Sequence, residues 1–220
     1  MKSPNALVRP ALFGIFVTLT GLIQARSQTV IVDNFSQTTN NFAFISSTDF
    51  VAHQFTTDGQ SYALGTVNLN LRAASNGSGN FVVQLWDDNA GAGPGNLLRL
   101  LNGNGNPIAA GVYTYTPFTP ITLTSATPYW ITLSVSSGNG AYGWNSTTTS
   151  TSSGPGTIGG FAASFDSGAN WLGPDPSAYH MFSVTGSPVP EPQTYALAAG
   201  LALLGFATWR RAMGGIVNRP

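Results

Sequence analysis

The residues in this chain that could do chemistry are few, and most lack partners at a useful spacing. There is no cysteine, which removes thiolate metal sites, thiol nucleophiles and disulfide scaffolds. No Gly-x-Ser-x-Gly or His-Glu-x-x-His occurs, and the stretch Gly103 to Ile108 fails the dinucleotide pattern at its last position. The two histidines alternate with apolar residues, His53 with Val51 and Phe55, His180 with Phe182 and Val184. That spacing predicts two imidazoles on inward strand faces. Asp87 and Asp88 are adjacent, so on a strand they point to opposite faces and make a poor acid/base pair for glycoside cleavage. With Asn89 they also present the oxygen types that calcium takes. The spaced Asp-x-Asp-x-Asp-Gly loop is missing, however, and the following Gly and Pro residues predict a turn. The chemistry read here is therefore recognition without a catalytic or metal centre. Trp144 and Trp171, both in glycine-rich surroundings, are the candidate glycan contacts, because an exposed indole can stack on a sugar ring.

A fourth group is Val189-Pro190-Glu191-Pro192, which holds the only glutamate of the chain. Each proline pushes the residue before it out of the helical region, so Glu191 is expected in an extended joint. An uncharged run follows from Pro192 to Trp209, then Arg210 and Arg211. Alanine and leucine dominate it, predicting a helix. Its 18 residues would reach about 27 Å, close to the roughly 30 Å of a bilayer core. The sequence thus predicts a single transmembrane helix over 192–209, with Trp209 at the interface and the arginine pair as a membrane stop. At the other end Lys2 and Arg9 precede the apolar run Ala11 to Ile23, with Ala25 and Ser27 beyond it. This is the pattern of a secretory signal peptide over residues 1–27.

Pro-Glu-Pro, an apolar helix and an arginine pair, in that order near the C-terminus, resemble the PEP-CTERM sorting signal. The resemblance implies an exosortase-type partner, a membrane-embedded transpeptidase-like enzyme that reads the signal. It also implies an exported bacterial protein, anchored in the inner membrane as a precursor and then delivered to the cell surface or extracellular matrix. The tail from Ala212 to Pro220 runs on past the arginine pair, longer than the usual ending.

The 164 residues between the ends, Gln28 to Glu191, carry two basic residues, Arg72 and Arg99, against all eight acids. The neutrality of the whole chain thus conceals a segment of net charge −6, which excludes nucleic acid as a partner. Its apolar pattern has period two, as in Val67 to Leu71, Phe81 to Trp86, Val112 to Phe118 and Tyr129 to Val135. Glycine- and asparagine-rich turns separate these runs, and no window has a helical period. Nine to eleven short strands are expected, forming an all-β antiparallel sandwich, jelly-roll-like, over residues 28–186, with the sorting signal over 187–220. The Asn-Phe-x-Phe opening run, Gln84 to Asn89 and Thr127 to Leu133 resemble the choice-of-anchor R ectodomains. That likeness implies a β-rich surface domain and brings no activity or cofactor with it. The combined expectation is a non-enzymatic surface or matrix protein, structural or adhesive. Its rivals are a carbohydrate-binding module of the exopolysaccharide and a hydrolase with an unrecognised site.

Overall fold

The computed structural model describes residues 27–190 and 192–214; the expected signal peptide over residues 1–27 lies, but for Ser27, outside them. The chain is mostly antiparallel β-sheet, as the period-two pattern requires. In one sheet β4 (Tyr62–Asn76) is the spine. It pairs with β8 (Thr122–Leu123), β14 (Phe182–Pro188), β7 (Gly111–Pro117) and β10 (Ala141–Thr147) at successive points along its length. Beyond these, β1 (Thr29–Asp33) lies on β14, while β2 (Asn41–Ile45) and β13 (Tyr179–His180) lie on β10. The second sheet runs β12 (Leu172–Asp175), β11 (Thr157–Ser164), β3 (Phe50–Thr56), β9 (Pro128–Gly138), β5 (Gly79–Asp88) and β6 (Pro94–Asn102). The sheets join at β7, which gives residues 111–115 to β4 and Thr116 and Pro117 to β6.

Two differences from the sequence pattern have clear causes. The run Tyr179 to Val184 is not one strand. It breaks at Met181, whose backbone is taken by Asn145 and Asn70, so that Tyr179–His180 joins β10 and the rest joins β4. Conversely, β4 is far longer than the alternating stretch Val67 to Leu71, because a succession of partners holds its polar ends in the ladder. Short strands such as β8 and β12 carry too few apolar residues to show a period.

The faces that meet across the two sheets form one core. Leu69, Val67, Trp144 and Phe182 of the first sheet meet Phe55, Val83, Leu85, Ile131 and Leu133 of the second. Trp144 is fully buried, donates its indole N–H to the Met181 carbonyl at 2.9 Å, and stacks on His180 with ring centroids 4.6 Å apart. His53 reaches across from β3, its Nδ1 3.2 Å from Nδ1 of His180 and its ring edge-on to Trp144. A smaller cluster covers the other face of the second sheet, where Ala52, Trp130 and Ala162 are sealed by Trp86 and Trp171.

The imidazole pair makes stability depend on acid. Burial, with the neighbouring His180 second, holds His53 well below the usual histidine range, and burial brings His180 down to about 3. Both rings are therefore neutral in the folded state at pH values where an unfolded histidine, with a pKa of about 6.5, takes up protons. The unfolded state binds more protons in that window, so stability is complete above it and declines as pH falls below about 6.5. Thermal melts should show a plateau above neutrality and a falling Tm between about pH 6.5 and 4.5, before unpaired carboxylates titrate. A flat profile there would contradict the buried pair. Replacing Trp144 by Ala should cost about 3–5 kcal/mol in urea denaturation, since it empties the largest side chain of the join.

Candidate functional site

Four groups of residues carried functional expectations, and the fold treats each differently. Asp87 and Asp88 end β5 and are spent on structure. Asp88 accepts the Trp130 indole N–H at 2.8 Å, the Gln54 amide at 2.9 Å and the Gly91 backbone N–H at 2.7 Å. Asp87 accepts the backbone and side-chain N–H groups of Asn96. The loop after them is closed by Asn89 and Gly93 and is a turn, as its composition predicts. Its carboxylates fasten a hairpin and the underside of a buried tryptophan.

The expected glycan pair is corrected. Trp144 is 0 % exposed, because alternation along β10 sends Tyr142 and Trp144 inward together. Glycine-rich surroundings misled here: Gly143 is small because its neighbours crowd it, not because the strand is a loose loop. Trp171 is half-buried and packs against Trp86 at 6.5 Å between ring centroids, on the opposite side of the second sheet. The two indoles share no surface. His53 and His180 meet each other and aromatic rings, with His53 Nε2 buried and unpartnered. The carboxylate and hydroxyl that an acid/base site would place beside them are not among these contacts.

The C-terminal segment is where the fold leaves residues unclaimed. β14 ends at Pro188, and the Val189 N–H still donates to the Ser61 carbonyl at 2.8 Å. Pro190 is half-buried, Glu191 lies outside the described residues, and Pro192 opens α1 (Pro192–Gly214) in a first-turn position that costs no hydrogen bond. The joint between sheet and helix is thus confined to three residues, two of them next to prolines. Along α1, Leu197, Leu201, Leu203, Leu204, Phe206 and Trp209 are all more than half exposed. An apolar helix left uncovered in this way has no place in the β core.

The transmembrane expectation for residues 192–209 is corrected. Among the described residues no helix is long and apolar enough to cross a membrane. Gln193, Thr194 and Tyr195 dilute its front, so the unbroken apolar run is Ala196 to Ala207, about 18 Å as helix against a bilayer core of roughly 30 Å. Nor does the helix stop at Trp209. It continues through Arg210 and Arg211, and Arg211 lies in its last turn, where a cation offsets the helix dipole.

The sequence gives no site role to Phe42, Phe44 and Arg72, which the fold assembles on the outer face of the first sheet. Two phenylalanines at i and i+2 in Asn41 to Phe44, and one of only two arginines in a segment of net negative charge, were the available signals. A search of curated proteins finds no match to the chain. Comparison with family models finds the PEP-CTERM protein-sorting motif at residues 188–212, the segment that begins on the last residue of β14 and ends within α1.

Proposed function

We propose that this chain is an exported surface protein whose β domain is delivered by exosortase-dependent sorting at Pro190-Glu191-Pro192. The observation that carries the reading is the coincidence of the sorting motif with the one segment, among the described residues, that leaves the sheets and exposes an apolar helix. A proline disfavours helix at the residue before it, and Pro190 and Pro192 in succession suit a segment that a processing enzyme must grip in extended form. Val189, hydrogen-bonded to Ser61, anchors the joint to a folded domain on one side. The helix with Trp209, Arg210 and Arg211 presents the other side to the membrane where the enzyme resides. Before processing the chain is held at that membrane, and afterwards the β domain is released to the cell surface or matrix.

The role of the delivered domain follows from what it offers. It is a non-enzymatic, choice-of-anchor-like ectodomain with a structural or adhesive task outside the cell. Support comes from its carboxylates and histidines, which serve hydrogen bonding and packing, and from a core that holds without disulfides.

Replacing Glu191 by Ala should leave full-length, helix-bearing protein in the membrane fraction of the native host, whereas Asp175→Ala should be processed like the wild type. Intact mass of the surface-recovered protein reads both ends at once. A wild-type mass beginning near Gln28 and ending near the Pro-Glu-Pro segment is expected. Normal release of the Glu191 variant would defeat the sorting assignment.

A further inference from the structure

Alternation along β10 has a second consequence. With Tyr142 and Trp144 inward, Gly143 faces outward between Phe44 of β2 and Arg72 of β4, its direct neighbours in the ladder. A Cβ at Gly143 would collide with Cγ and Cδ of Arg72, so the arginine can lie flat across the strand only because glycine is there. Its guanidinium carbon sits 3.7 Å from the centroid of the Phe42 ring. Phe42 and Phe44 pack edge to face at 4.8 Å, and Phe44 is 56 % exposed. Phe42 lies behind the arginine, and Phe44, Arg72 and Gly143, with Ser75 and Ala141, line a pocket of about 250 Å³. That is slightly below the roughly 300 Å³ at which small-molecule sites begin, enough for a single ring.

The electrostatics of the pocket are unusual for this molecule. Arg99, the other arginine of the β domain, donates to the Leu98 carbonyl. Arg72 meets no acceptor or carboxylate among the described residues; the Phe42 ring is its partner. A guanidinium held in place with its fork unspent is preorganised for a bidentate carboxylate. The exposed Phe44 ring beside it offers an apolar face for the C–H side of a pyranose. Asn145 and Asn70, hydrogen-bonded to each other at 2.9 Å, continue a polar rim along the same face.

We propose that the Phe44–Gly143–Arg72 pocket, its arginine seated on the Phe42 ring, binds a carboxylate-bearing sugar, a uronic acid residue of an acidic polysaccharide. Arg72 takes the carboxylate and Phe44 takes the ring. The net negative charge of the domain repels the rest of a polyanion, so recognition is confined to this spot, where the attraction between Arg72 and the carboxylate weakens with salt. The pocket is independent of sorting: Glu191→Ala leaves it intact.

The test is an isothermal titration of the full chain with trigalacturonate and, separately, with the neutral trisaccharide maltotriose. Trigalacturonate should bind, at least about tenfold more tightly than maltotriose. Arg72→Ala should abolish that preference, Arg72→Lys should keep part of it by retaining charge without the fork, and Phe44→Ala should weaken binding about two- to tenfold. Both side chains are at the surface, and an unchanged Tm verifies that each variant is folded. No binding of trigalacturonate, equal binding of the two trisaccharides, or a preference that survives in Arg72→Ala overturns the assignment.

Discussion

The contact on which most of this structure depends is the seat of Trp144. Its indole donates to Met181, stacks on His180 and abuts Phe182, while His53 closes the cluster from the opposite sheet. Because Met181 gives its backbone to this seat and to Asn70 and Asn145, one extended run becomes two strands serving two neighbours, β10 and β4. In a chain with no disulfide and 7 % charged residues, aromatic packing of this kind supplies what staples or ion pairs supply elsewhere.

The same seat reaches the surface. A strand cannot turn two alternate residues inward without turning the one between them outward. Gly143 is that residue, and its lack of a side chain lets Arg72 cross the strand to Phe42. Core and pocket are therefore two faces of one local constraint.

The C-terminal segment obeys a different logic. Val189 is still tied to the sheet by a backbone hydrogen bond, whereas Pro192–Gly214 is helix, with Leu197, Leu201, Leu203, Leu204, Phe206 and Trp209 uncovered. Two prolines make that change abrupt. The sorting motif spans this change of structure, which gives a processing enzyme a fixed domain on one side and a separable helix on the other.

Class and punctuation were readable from residue order. Alternation in Val67 to Leu71 and Tyr129 to Val135 reported strands, since a half-buried sheet imposes period two. Pro190, Glu191, Pro192 and the alanine- and leucine-rich run reported a joint and a helix, because proline and propensity act locally. The histidines reported burial through the apolar residues beside them. Partnership was not readable. Whether Trp144 or Gly143 faced outward depended on which strands flank β10, a contact between segments far apart in the chain. Spanning length was misjudged because a charge-free run still contains Gln193 and Thr194, whose polarity shortens the apolar stretch. Local order thus decides which kinds of element form, while partners distant in the chain decide where β4 and β14 end and, through the meeting of β2, β10 and β4, which side chains share a surface.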